Sequence, residues 1–230
     1  MTLIEKTEKK IHSYWKNEVN TFACDNSPYH YACKPSSIIN FLHNFWNPEV
    51  QKTDKILELG CNSGANLNHL RNLGYTDLSG IEINKKAIKL MSEIFPDTYS
   101  SSNIYIGNIE KTLSQIPDKS IDITFSIATL EHIHPDSEKE VFTEIKRITK
   151  KYIVTIEDED ISINRIDRLF VRNYKHIFGN IGCIEIKHKQ KTGIPIEKGS
   201  IYINTENEPF ILCTDFEYDI YTSRMFKVEQ

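Results

Sequence analysis

The chain has 230 residues, 39% of them hydrophobic and 26% charged, which is enough apolar material for a core-forming domain and too much for a disordered chain. Its 28 basic and 32 acidic residues leave a net charge of −4, so no general attraction to nucleic acid or to an anionic membrane is expected. Five cysteines, Cys24, Cys33, Cys61, Cys183 and Cys213, are odd in number and form no C-x-x-C pair, which argues against a disulfide framework and a zinc site; no metal is expected. Met1 to Lys6 turns charged at once, unlike a signal peptide or membrane span, so a cytoplasmic protein is expected.

Residues 1–50 read as an N-terminal helical lid and residues 51–230 as the main domain. Ile4, Ile11, Trp15 and Val19 fall near one helical stripe; a second helix starts at Pro35, carries Ile38, Ile39, Leu42, Phe45 and Trp46, and stops at Asn47-Pro48. From Lys55 short apolar strands alternate with amphipathic helices. Strands are expected at 56–59, 78–83, 103–106, 121–126 and 151–156, with Ile121, Ile123 and Phe125 on one side of the fourth. Helices follow through Leu67, Leu70 and Leu73, from Asn84 as cap to Phe95, and from a Ser137–Glu140 capping box through Val141, Phe142, Ile145 and Ile148. Residues 161–176 suggest one more helix, and the remainder reads as strands and turns.

These five alternating strands imply an α/β, doubly wound fold: a parallel sheet with helices on both faces. Such sheets bind ligands at the carboxyl ends of their strands, where strand order reverses. The turn after the first strand, Gly60-Cys61-Asn62-Ser63-Gly64, is therefore the place to look. Asn62 and Ala65 stand where a dinucleotide fingerprint has its second and third glycines, and Glu58 repels phosphate. A carboxylate there suits a ligand carrying an ammonium or sulfonium charge.

Glu58, Gly60 and Gly64 resemble the first motif of the class I S-adenosylmethionine-dependent methyltransferases, of the small-molecule type 11/12-like kind, with Asn62 replacing the middle glycine. Asn tolerates the left-handed backbone conformation better than most residues. Glu82, in Gly80-Ile81-Glu82-Ile83-Asn84, matches the family's ribose-binding acid. In Gly107-Asn108-Ile109-Glu110, Asn108 stands where the family has an adenine-binding Asp, with Ile83 and Ile109 able to sandwich the base. Phe125 to Ile133 looks like the strand-four segment ending in Leu130-Glu131-His132. The resemblance covers about residues 50–156. It implies a Rossmann-like seven-strand sheet, mostly parallel with an antiparallel strand near the C-terminus, S-adenosylmethionine as cofactor, S-adenosylhomocysteine as product, and a cofactor site of Glu58, Gly60, Cys61, Asn62, Gly64, Glu82, Ile83, Asn108, Ile109 and Ser126.

His132 is the candidate general base, because its ordinary pKa lies near working pH; the competing role is a loop hydrogen-bonder or cofactor neighbour. The run Glu157-Asp158-Glu159-Asp160 reads as a solvated face complementing a following helix, or else as a surface for a cationic acceptor or a hard metal. Asn26-Ser27-Pro28-Tyr29 superficially matches an amino-methyltransferase element, although it lacks the double proline. Tyr14, Trp15, Tyr29, Tyr31 and Lys34 belong to the lid, with Lys34 available to the cofactor carboxylate. The basic clusters at 146–151 and 187–191 read as solvated faces. The expected reaction is methyl transfer to an oxygen or nitrogen of a small molecule, with no nucleic-acid or membrane partner. The alternatives are a protein or RNA acceptor, or a non-catalytic cofactor-binding subunit.

Overall fold

A computed structural model describes residues 3–21, 24, 26–159, 168–194, 197–203, 210–216 and 221–229. Strands β1 (Lys55–Leu59), β2 (Asp77–Glu82), β3 (Asn103–Ile106), β4 (Ile121–Ile127), β5 (Thr149–Glu157), β6 (Cys183–Lys189) and β9 (Thr222–Val228) form one seven-stranded sheet in the order β3-β2-β1-β4-β5-β9-β6. The pairs among β1 to β5 are parallel, and β9 runs antiparallel between β5 and β6. Strands β7 (Glu197–Ile203) and β8 (Phe210–Phe216) pair antiparallel as a separate two-stranded sheet.

Because a side chain on one strand faces opposite its neighbours, the two faces of the sheet bury different residues. Ile56, Ile123, Phe125, Val154 and Ile156 pack against α3 (Ser37–Trp46), α4 (Ala65–Asn72) and α5 (Lys85–Ile94) through Ile38, Leu42, Trp46, Leu67, Leu70 and Met91. Leu57, Leu59, Ile81 and Ile153 pack on the other face against α8 (Glu138–Ile148) and α9 (Tyr174–Asn180). Ile121 joins this second cluster rather than Ile123 and Phe125, because the β4–β5 register shifts between Ile121 and Ile123.

Four local expectations change. A short helix precedes the one expected from Pro35: α2 (Pro28–Ala32) begins with Ser27 accepting from His30 N–H at 3.3 Å and Pro28 in its first turn, which gives Asn26-Ser27-Pro28-Tyr29 a helix-starting role. Ser137 makes no side-chain cap on α8; its hydroxyl donates instead to Glu8 Oε1 at 3.0 Å. Of the helix expected at 161–176, Ile163 and Ile166 lie outside the described residues, and α9 begins at Tyr174. Of the acidic run, Asp160 lies outside the described residues and the other three are not a solvated face: Glu157 and Asp158 are buried at the carboxyl end of β5, and Glu159 grips the Arg224 guanidinium with contacts of 2.7 and 2.8 Å.

In the basic clusters Lys150, His188, Lys189 and Lys191 are exposed, as expected of solvated faces, while other members form ion pairs. Arg147 pairs with Glu144 and Asp118, Lys151 with Asp54 and Asp122, and Lys187 with Glu49. No helix among the described residues is long and apolar enough to cross a membrane.

Candidate active site

Strand order reverses between β1 and β4, and a cleft opens above their carboxyl ends. It holds about 780 Å³ of empty space, its open mouth included. Gly60 and Asn62 after β1, Glu82 and Ile83 at the end of β2, and Gly107, Asn108 and Ile109 after β3 form its floor. Ile127, Ala128, Thr129 and His132 form the β4 side. Ile11 and His12 of α1 (Leu3–Ser13), Trp15 just beyond it, and Tyr31 and Lys34 cover the cleft.

The turn after β1 needs its unusual backbone. Gly60, Asn62 and Gly64 all have left-handed φ, at 72°, 46° and 76°. A Cβ on Gly60 would meet Thr129 Oγ1 at 2.5 Å, so this glycine lets the β1 and β4 ends close on each other. Glu82 ties the turn to β2: its two oxygens accept from Asn62 N–H at 2.8 Å and Asn84 N–H at 2.7 Å. Asn84 also caps α5, accepting from Lys86 and Ala87 N–H. Asn108 starts α7 (Ile109–Thr112) without a side-chain cap, which leaves its amide for other partners.

Six of the ten residues expected to hold cofactor line this one cleft: Gly60, Asn62, Glu82, Ile83, Asn108 and Ile109. Glu58, Cys61, Gly64 and Ser126 do not reach its surface. Glu58 is only 1% exposed, and one of its oxygens is turned toward α4, where Asn66 Nδ2 donates at 2.6 Å. Cys61 packs under Gly80, whose missing Cβ would lie 2.5 Å from its sulfur, and Gly64 packs on Met91 in the same way. Ser126 is buried below the floor.

Charge in the cleft follows from burial. Desolvation pushes the Glu58 carboxyl up to about 7, against the pull of the Asn66 hydrogen bond and the Lys34 charge; it lowers Lys34 to about 8. Glu82 is also raised by burial, in part offset by its backbone donors. The second oxygen of Glu58 is buried without a hydrogen-bond partner. Such an atom costs stability unless a ligand supplies its donor.

His132 sits on a clamped loop. Glu157 accepts from the N–H groups of Thr129, Leu130 and Glu131 at 3.0 to 3.4 Å. Arg172 donates to the carbonyls of Leu130 at 3.0 Å and Phe170 at 2.8 Å, and to that of Ile133. The His132 ring lies 4.6 Å from the Trp15 ring between centroids. Its Nδ1 is 2.9 Å from the Arg168 carbonyl, which can only accept, so Nδ1 carries the proton and Nε2 is bare. Burial lowers the ring's pKa to about 4, and the Arg168 and Arg172 charges add to the effect, so the imidazole is neutral at working pH.

A family profile for the methyltransferase domain matches residues 57–152. Residues 57–152, fewer than half of the chain, thus match a methyltransferase domain, on a sheet with the fold of S-adenosylmethionine-dependent methyltransferases. Geranyl diphosphate C-methyltransferase from Streptomyces coelicolor A3(2), whose crystal holds Mg²⁺, geranyl diphosphate and S-adenosyl-L-homocysteine, shares the fold at 11% identity. The match covers 80% of this chain and 82% of that one, with a TM-score of 0.61. A SAM-dependent methyltransferase from Archaeoglobus fulgidus gives a TM-score of 0.57 at 17% identity, covering 87% of this chain and 94% of that one. The eEF1A lysine and N-terminal methyltransferase homolog of Drosophila melanogaster is 24% identical over 109 residues, which are 47% of this chain and 16% of that protein.

In the cleft, the residues that sequence reasoning left out are those that close it from a distance. Ile11 was visible only as part of a helical stripe, and His12 beside it carried no signal. Thr129 and Gly107 lie within recognisable segments, yet their contact with the cleft depends on how β4 and β3 end.

Proposed function

We propose that this domain moves a methyl group from S-adenosylmethionine to an oxygen or nitrogen of a small molecule held between the sheet and the covering helices. The observation that carries a small acceptor is the cover itself. Ile11, His12, Trp15, Tyr31 and Lys34 line the cleft from the N-terminal side, opposite the strand ends, and narrow the way to them.

When bound, the cofactor supplies a methyl group on a positively charged sulfur. Each Glu82 oxygen is oriented by one backbone donor and keeps a lone pair for a ribose hydroxyl. Asn108 serves the adenine edge, and Ile83 and Ile109 flank the base. Lys34 offers its ammonium to the cofactor carboxylate, while Glu58, behind the floor, adds a negative field toward the positive end of the methionine part. Gly60 and Asn62 let backbone approach closely; Cys61, Gly64 and Ser126 support that turn and the β4 end from behind.

His132 acts as a hydrogen-bond acceptor through Nε2, aiming the acceptor's N–H or O–H so that the nucleophile points along the transfer axis. A ring with a pKa of about 4 is poorly matched to proton abstraction near neutrality, and alignment is the larger contribution to methyl transfer.

Tritium-labelled cofactor incubated with the protein and a cell extract tests this reading. Label in the dialysable fraction is expected, and label confined to retained protein or RNA would contradict it. The second outcome would favour a macromolecular acceptor, the reading to which the Drosophila melanogaster protein methyltransferase homolog lends its similarity.

A further inference from the structure

Away from His132, α1 and α7 meet at three ligand-bearing side chains. Glu8 and His12 are four residues apart on α1 and share one face. Glu110 lies in the first turn of α7. His12 Nε2 is 3.1 Å from Glu110 Oε1, and one ligand atom from each of the three residues lies within 4.8 Å of the others. All three side chains are half-buried. Among the described residues no other group of this kind exists.

Two further observations bear on the cluster. Glu8 is held from outside by Ser137, which donates to its Oε1 at 3.0 Å and makes no cap for α8. Ligating carboxylates are oriented by such outer hydrogen bonds. The two carboxylates also set up a negative field at the imidazole, opposed by the Lys111 charge.

We propose that Glu8, His12 and Glu110 bind a divalent transition-metal cation that fastens α1 across the cleft. One imidazole nitrogen with two carboxylate oxygens suits zinc, cobalt, manganese or iron(II). All-oxygen cages suit calcium and magnesium, and thiolates suit copper(I). The cation is structural and lies at the adenine side, beside Asn108 and Ile109. It acts on the reaction only by holding the cover down. Because His12 and Glu110 line the cleft, metal occupancy and cofactor occupancy strengthen each other by the same factor.

The test uses the full chain and Co²⁺ as probe, followed by visible absorption, with Zn²⁺ calorimetry in parallel. One saturable equivalent is expected, with weak nitrogen/oxygen-type bands and no thiolate charge-transfer band. Affinity should be tighter at pH 8 than at pH 6, since the metal displaces the imidazole proton. His12→Gln and Glu8→Gln should each weaken binding about tenfold or more with unchanged circular dichroism, and Zn²⁺ should tighten S-adenosylhomocysteine binding to wild type. No saturable binding, equal binding by both variants, or thiolate bands that place the metal on cysteine would overturn the proposal. The cluster would then be a protonated His12 bridging two carboxylates. None of these outcomes touches the methyltransferase reading, which does not involve the metal.

Discussion

Glu58 is kept at the end of β1 although burial makes its charge expensive there. Its folded pKa of about 7 stands above the ordinary carboxylate value. The stability it allows is therefore complete at low pH and is lost as pH rises through 7. Glu58→Gln should leave stability near that of wild type at pH 5 and raise it at pH 8 by about 1–3 kcal/mol, read by urea denaturation. The same change should weaken cofactor binding; a variant no more stable at pH 8 would show that the carboxylate is not strained there. His132 has the opposite sign. Its folded pKa of about 4 lies below that of a free imidazole, so its stabilising contribution is present above pH 6.5 and fades as pH falls toward 4. In NMR titration its ring should remain neutral at pH 6, and a midpoint near 6.5 would contradict the buried, Nδ1-bonded geometry. That Gly60, Asn62 and Glu82 line the cleft could be read from the sequence because a tight turn and a strand-end carboxylate are local demands, whereas the withdrawal of Glu58 behind the floor could not. His12 and Glu110, 98 positions apart, become neighbours only when α1 docks.

At the scale of elements, the loop after β4 is held from two sides, with Glu157 on its N–H groups and Arg172 on its carbonyls. Glu157→Ala leaves those buried donors without partners and should destabilise the fold by about 1–3 kcal/mol in urea denaturation. Glu157→Gln, whose amide oxygen still accepts, should lose less. Fluorescence of Trp15, isolated in a Trp46→Phe background, should change in the Ala variant because its ring packs on His132. An unchanged spectrum would show that the clamp does not position that loop. The acidic run after β5 reads as a solvated face because charge ordinarily means surface. What reverses it is a tertiary requirement, three N–H donors of a neighbouring turn, that leaves no trace near residue 157. Ser137 is similar: its spacing to Glu140 states a capping box, and Glu8 outcompetes the helix for its hydroxyl.

Across the whole molecule, the parallel half of the sheet follows from alternating strand and helix patterns, and the reversal of strand order at β1 and β4 locates the cleft without reference to any side chain. The C-terminal third was harder to read. There β6 and β9 pair across an intervening hairpin of β7 and β8, a long-range choice that periodicity alone does not encode. The shared cleft remains the central claim, with Glu82 and Asn108 on its floor, Glu58 just behind it and Lys34 above. Calorimetric titration with S-adenosylhomocysteine tests it most directly. One molecule should bind per chain, and Glu82→Ala should bind about 10–100-fold more weakly, as expected for about 1–3 kcal/mol of lost ribose hydrogen bonding. The absence of binding heat at millimolar ligand, or equal affinity in the variant, would contradict it.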